Sequence, residues 1–180
     1  MIALSHFEET VLSKEIFSGK VIRVCHDDVI LENGQSAKRE VVYHNGGVCV
    51  LPLTREGDVL FVRQFRYPYR QEVLELPAGK LEKGEDPLES GNRELLEEVG
   101  ATAKKITFLG ELYPSPGYCA EVISLYLAEE LSFTEQRLDE DEFLDVVKIP
   151  LSEAVKMVME NKIPDSKTQT ALLKTYLLKK

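Results

Sequence analysis

Through the first 45 residues apolar and polar positions alternate, as in Glu15-Ile16-Phe17, Lys20-Val21-Ile22-Arg23-Val24 and Arg39-Glu40-Val41-Val42-Tyr43, with turn signals at Ser18-Gly19 and Asn33-Gly34. A period of two broken by glycine turns predicts short antiparallel strands joined as hairpins. So small a sheet is not stable alone, and its apolar face is expected to pack on the rest of the chain or on a second copy of it. From Gly46 the pattern becomes denser: Val48 to Leu53, a Glu56-Gly57-Asp58 turn, then Val59 to Phe65, which reads as a hairpin of two buried strands. Further strands are predicted at Ile106 to Tyr113, Val122 to Ala128 and Phe143 to Ile149. Two helices follow, from about Ser152 to Asn161 and from about Ser166 to Leu178, separated by Pro164. Strands interspersed with a few helices predict an α+β or α/β layered domain, with no internal repeat or low-complexity tract.

Composition limits what such a domain can be. A chain of 180 residues with 43% apolar content has the size of one domain with a small appended subdomain. The division expected is residues 1–45 as a β subdomain and residues 46–180 as the main domain. Cys25, Cys49 and Cys119 are odd in number, far apart and without CxxC pairing, so they are expected to be reduced core or near-core residues rather than a disulfide frame or a zinc site. Charges within the first ten residues argue against a signal peptide, and no apolar run is long enough to span a bilayer, so no membrane partner and a cytoplasmic location are expected. A formal charge of -9 argues against nucleic acid, which normally meets a basic face.

The chemistry is concentrated between Leu76 and Gly100. Asp86 suits a helix N-cap, Pro87 the first helical position, Glu89 the capping-box position and Gly100 the left-handed C-terminal position. On this predicted helix Glu94, Glu97 and Glu98 are separated by three- and four-residue steps and share neighbouring parts of one face. Leu88, Leu95, Leu96 and Val99 fall on the other side, expected to face the core. Glu89, Arg93 and Glu97 form an i, i+4, i+8 row, so the Arg93 guanidinium can hold carboxylates in place by forked hydrogen bonds. With Glu82 and Glu85 just upstream, the cluster repels itself, each close pair costing roughly a few kcal/mol at an effective dielectric of about 20. A divalent cation removes that cost, and all-oxygen ligands with no nearby His or Cys favour Mg²⁺ or Mn²⁺.

A glutamate-rich surface helix is usually only a solvated face. Here, however, Gly79, Glu85, Arg93, Glu94, Glu97, Glu98 and Gly100, with apolar Leu95 and Ala101, resemble the Nudix box, Gly-x5-Glu-x7-Arg-Glu-U-x-Glu-Glu-x-Gly-U with U apolar. Ala101 is smaller than the usual last residue. Gly91 stands where close relatives usually have alanine, at about 1 kcal/mol of helix propensity. The resemblance implies an α/β/α sandwich around a mixed sheet. It makes Glu94, Glu97, Glu98 and the carbonyl of Ala78 metal ligands, Glu82 and Glu85 auxiliary candidates, and Arg93 the residue that orients the glutamates. The strand-rich first 45 residues are similar to the N-terminal subdomain of the ADP-ribose pyrophosphatase branch, which forms homodimers by exchanging that part.

Three segments bear on substrate. Tyr113-Pro114-Ser115-Pro116-Gly117-Tyr118 resembles the proline loop of that branch, with Pro116 at the matching distance, although two prolines and a glycine would make a rigid turn in any case. Arg63-Gln64-Phe65-Arg66-Tyr67-Pro68 is similar to a segment whose arginine, here Arg66, contacts the substrate's phosphates; the alternative for Arg66 is a surface ion pair. Tyr67, Tyr69 and Tyr118 could stack on a base or simply pack. In the acidic stretch Leu138 to Val146, Glu142 best matches a glutamate that orients or deprotonates the attacking water, with Glu140 as substitute and a solvated loop as the plain alternative. The function implied is Mg²⁺-dependent hydrolysis of ADP-ribose to AMP and ribose 5-phosphate. GDP-mannose or ADP-glucose is the alternative nucleoside diphosphate sugar, and a Nudix-fold sensor that binds without cleaving is the rival from another class.

Overall fold

The computed structural model of the chain describes residues 6–138 and 142–180. They form two compact units, one of residues up to Asn45 together with Tyr113–Val122, the other of Gly46–Leu112 and Ile123–Lys180.

In the first unit, β1 (Glu8–Ser18), β2 (Ile22–Leu31) and β3 (Ser36–His44) form an antiparallel sheet in the order β1-β2-β3. Both turns fall where the glycines predict them. The Gly19 amide donates to the Ile22 carbonyl at 2.9 Å, and Gly34, at φ +79°, closes the second turn on Leu31 at 2.8 Å. Cys25, Asp27 and Val29 of β2 alternate into a buried face, and the Ser13 hydroxyl donates to the Asp27 carboxylate at 2.5 Å. β1 is different: every residue of it is exposed, including Val11, Leu12, Ile16 and Phe17. The Tyr113–Val122 segment joins this unit through a parallel bridge between Val42 and Cys119, with the Val42 amide donating to the Tyr118 carbonyl at 2.8 Å.

The second unit has two sheets. One, in the order β7-β4-β9-β8, contains β4 (Gly47–Pro52), β7 (Ala78–Lys80), β8 (Ala101–Leu112) and β9 (Ile123–Phe133), and β4 runs parallel to β9 while the other pairs are antiparallel. The other, antiparallel, has the order β10-β5-β6, from β5 (Asp58–Arg66), β6 (Gln71–Glu75) and β10 (Leu144–Pro150). The helices are α1 (Pro87–Val99), α2 (Leu151–Met159) and α3 (Ser166–Leu178).

All of β4 is buried because its alternate residues enter different cores. Val48 and Val50 pack with Leu60, Val62 and Tyr126 and with Leu95 and Val99 of α1. Cys49 and Leu51 pack with Val59, Phe61, Leu125 and Leu127 and with Ala154 and Val158 of α2 and Ala171 and Leu172 of α3. Strands buried on both faces read as apolar runs rather than alternations, which is why this region looked dense in the sequence. The result is an α/β/α sandwich around a mixed sheet, with a separate small antiparallel sheet at the N-terminal end of the chain. Cys25 and Cys49 are buried, Cys119 is half-buried, and all three are free thiols. No helix among the described residues is long and apolar enough to cross a membrane.

Several boundaries differ from those the pattern predicts. β8 begins at Ala101 rather than Ile106, and β9 continues to Phe133 beyond Ala128, because the two strands pair with each other through polar positions such as Lys105 opposite Glu129. β6 and β7 escape the pattern altogether. They are only five and three residues long, and pairing with β5 and β4 defines them.

Candidate active site

The segment from Glu75 to Lys80 and the helix that follows it bring the acidic side chains together. α1 is capped as its sequence predicts at Asp86, Pro87 and Gly100, though not by a reciprocal bond from Glu89: the Asp86 carboxylate accepts the amides of Leu88 at 2.9 Å and Glu89 at 3.1 Å, Pro87 opens the helix, and Gly100 ends it at φ +62°. A side chain at Gly100 would put its Cβ 2.6 Å from the Thr134 carbonyl oxygen, so glycine is required there for space as well as for its φ.

Two adjacent columns of α1 face inward. Gly91, Leu95 and Val99 form the apolar column, and Ser90, Glu94 and Glu98 form a polar column that is also buried. Leu88, expected in the core, is 41% exposed, since the inward face has turned toward Glu94 and Glu98. Gly91 gains a reason for its place mid-helix: a Cβ there would meet methyl carbons of Val48 and Val50 at 3.1 and 3.2 Å, so its absence lets α1 lie close on β4. The demand at Gly79 is stronger. A Cβ on this β7 residue would fall 1.8 Å from Oε1 of Glu94, so the glycine at the start of the motif makes room for the carboxylate in its middle.

Arg93 clasps the cluster. Its Nη1 donates to Glu94 at 2.8 Å and to Glu97 at 2.9 Å, its Nε donates to Glu85 at 3.2 Å, and its Nη2 reaches Ser90 at 3.2 Å. The upstream partner is therefore Glu85, in the turn before the helix. Glu98 turns instead to the chain, its Oε2 accepting the Ala78 amide at 2.9 Å. Burial raises the Glu94 pKa, with the attraction of Arg93 opposing it. Burial pushes Glu98 up to about 8, the Ala78 hydrogen bond opposing and the charges of Glu94 and Glu142 reinforcing it.

Glu142 is half-buried, and its charge adds a minor upward push to the pKa of both Glu94 and Glu98. Carbonyls left over at the C-terminus of α1 hold the chain that follows β9. Those of Glu97, Glu98 and Gly100 accept from the Arg137 amide, the Gln136 side chain and the Thr134 amide at 3.1, 2.5 and 2.7 Å. Glu140, the substitute candidate, lies outside the described residues.

Two buried carboxylates of like charge, with Glu97 a turn away, are a donor set that suits an oxygen-preferring divalent cation. Arg93 supplies part of the compensating charge, and among the described residues no three such groups converge into a ready-made ion cage.

Arg66, at the end of β5, donates from Nε to the Glu75 carboxylate at 2.6 Å. That is an ion pair, but not a surface one, because Glu75 is only 2% exposed. Glu75 also meets Lys167 at 2.5 Å, and Lys167 meets Asp165, the N-cap of α3, at 3.0 Å. Burial alone would lower the Lys167 pKa, but Asp165 and Glu75 beside it hold it above its ordinary value. The next residue, Thr168, accepts the Leu76 amide on its hydroxyl at 2.9 Å. Sequence reasoning missed Glu75, Lys167 and Thr168. Tyr67 stacks under the Arg70 guanidinium at 3.6 Å, and both Tyr67 and Tyr69 are exposed. Pro116 is exposed in a turn of the other unit, in which the Cys119 amide donates to the Ser115 carbonyl at 3.0 Å.

Residues 43–172 match the NUDIX domain family. An ADP-ribose pyrophosphatase of Bacillus subtilis (strain 168) is 48% identical over 167 residues, 92% of this chain and 90% of that protein. A methanol dehydrogenase activator of Bacillus methanolicus is 45% identical with the same coverage of 92% and 90%. A GDP-mannose pyrophosphatase of Yersinia enterocolitica is 35% identical over 78% of this chain and 80% of its own length. Among solved structures, the crystal structure of an ADP compounds hydrolase shares the fold at a TM-score of 0.85 and 23% identity, covering 95% of this chain and 93% of that one.

Proposed function

The chain belongs to the Nudix family of hydrolases, and on that premise we propose that it cleaves the pyrophosphate bond of ADP-ribose, giving AMP and ribose 5-phosphate. The observation that carries the hydrolase reading is the buried Glu94–Glu98 column, held over the side-chain-free backbone of Gly79 and clasped by Arg93. The ADP-ribose reading is supported by the likeness to the Bacillus subtilis enzyme along nearly the whole of both chains.

Nudix hydrolases generally use divalent metal ions, and Mg²⁺ is the ion proposed for this chain, with Mn²⁺ as a substitute. Held by Glu94, Glu97, Glu98 and the Ala78 carbonyl, such an ion would draw charge from the phosphoryl oxygens and stabilise the charge developing on them. Arg93 keeps Glu94 and Glu97 from splaying apart. Glu142 orients a water and takes its proton as the water oxygen bonds to one phosphorus, while the bridging P–O bond breaks and its electron pair leaves with the other phosphate. Arg66 offers a planar, charged grip on the diphosphate. Pro116 is the further residue proposed for substrate binding, on the resemblance of its loop to the proline loop of the ADP-ribose pyrophosphatase branch. The protein is proposed to act as a cytoplasmic homodimer without nucleic-acid or membrane partners, the unpartnered apolar side chains of β1 supporting a second copy there. In this reading residues 1–45 form the dimerising subdomain and residues 46–180 the hydrolase domain.

A second reading changes only the sugar nucleotide, and the Yersinia enterocolitica relative supports GDP-mannose as that substrate. AMP release from ADP-ribose, measured with Mg²⁺ and with chelator beside GDP-mannose, ADP-glucose and a nucleoside triphosphate, tests both. Chelator-sensitive cleavage of ADP-ribose above the others is expected. Preference for another sugar nucleotide replaces the substrate, and binding without cleavage of any diphosphate replaces the enzyme by a sensor.

A further inference from the structure

On the α3 side of the Glu75–Gly79 segment lies a chain of charges whose inner members, Glu75, Lys167 and Asp165, the proposed chemistry leaves without a task. Glu75 receives two cations, Lys167 at 2.5 Å and Arg66 at 2.6 Å, and the Lys167 side chain is itself only 12% exposed. One partner would suffice to neutralise a buried carboxylate, and keeping a second cation on it has to be explained by what that cation does. Arg66 is gripped at Nε, the nitrogen nearest its chain, and an arginine held there still has a terminal pair of amino groups with which to meet a diphosphate. Its side chain is 38% exposed, so the charge chain runs from the interior at Lys167 to an accessible guanidinium.

The first turn of α3 also fixes the backbone of the same segment. Thr168 holds the Leu76 amide, two residues before the Ala78 amide that Glu98 holds from α1. Asp165 caps that turn by accepting the Thr168 amide at 3.0 Å and completes the charge balance at Lys167.

We infer that Lys167 is a positioning residue for substrate binding: by anchoring Glu75 it sets the Arg66 guanidinium in place for the diphosphate. The inference rests on the reading of Arg66 as a phosphate contact.

A double-mutant cycle separates positioning from simple neutralisation of Glu75. Lys167→Met is expected to raise KM for ADP-ribose about tenfold while kcat moves less than about threefold, the signature of lost binding rather than lost chemistry. In an Arg66→Ala background the same change is expected to add less than about twofold, because the group it positions is gone. Equal fold losses in both backgrounds overturn the inference and leave Lys167 a stability residue. If Lys167→Met does not fold, Glu75→Gln, which keeps the shape of the side chain, is carried through the same cycle with the same two outcomes. If the wild-type protein does not cleave ADP-ribose, the substrate reading fails on its own. The cycle is then run on calorimetric binding of inorganic pyrophosphate, where coupling of Lys167 to Arg66 supports the inference and additivity overturns it.

Discussion

α1 and α3 are both thirteen-residue helices with an aspartate N-cap whose carboxylate accepts amides of the first turn. Each reaches the stretch from the end of β6 to the start of β7 and holds one of its amides by a side chain, Ala78 by Glu98 from α1 and Leu76 by Thr168 from α3. Their chemistry is opposite. α1 buries acid and brings one arginine to contain it, whereas α3 buries a lysine and brings acid to meet it. The difference teaches that a short segment with alternating amides can be held from two sides at once, by buried acid on one and by a lysine that shares its carboxylate with Arg66 on the other. Only the first side has a recognisable spacing in the sequence.

The comparison breaks most severely at Glu98. Glu98→Gln removes one of the proposed metal ligands while keeping the side chain's shape, and should lower metal-dependent kcat on the order of 10³-fold, a loss of several kcal/mol of charge stabilisation. Circular dichroism should show an intact fold, and full activity in this variant would discard Glu98 as a ligand. Next comes Gly79→Ala, whose new methyl must displace the Glu94 carboxylate from 1.8 Å. Turnover should fall by about 10²-fold, with overpacking costing about 1–3 kcal/mol on a denaturation curve. Wild-type turnover would show that Glu94 can stand elsewhere without harm.

Thr168→Val sharpens the comparison from the α3 side. It leaves the Leu76 amide without its acceptor at a buried position, so stability should fall by about 1–3 kcal/mol. For a chain of this size each kcal/mol is about 2–4 °C in Tm. An unchanged Tm would mean that the amide finds another partner. The smallest effect is expected at Gly91. Alanine regains about 1 kcal/mol of helix propensity but crowds Val48 and Val50 at 3.1–3.2 Å, and the two should offset to within about 1 kcal/mol. A fall in Tm of many degrees would show that close approach of α1 to β4 dominates, and a comparable rise would show that the valines yield freely.

Periodicity alone was enough to locate the hairpins of β1–β3, the buried pair β4 and β5, and the two C-terminal helices, because each carries its own repeat of apolar positions and its own turn or cap residues. It was not enough for β6 and β7, whose few residues become strands only by pairing, nor for the outer halves of β8 and β9, where hydrogen bonding continues beyond the apolar pattern. In the site, the spacing of Glu94, Glu97, Glu98 and Arg93 was legible because helix geometry converts three- and four-residue steps into proximity with no help from the rest of the chain.

What the sequence by itself determined was therefore local: the caps of α1, the acid cluster and the arginine that clasps it, and through that spacing the family. What only the tertiary structure decided was which of those carboxylates are buried, why Gly79 and Gly91 have no side chain, and that Lys167 comes to share Glu75 with Arg66. Residues 75 and 167 are 92 positions apart, and no periodicity relates them. A buried ion pair between distant elements exists only when packing excludes water from both partners, and that is a property of the assembled cores rather than of either stretch of chain.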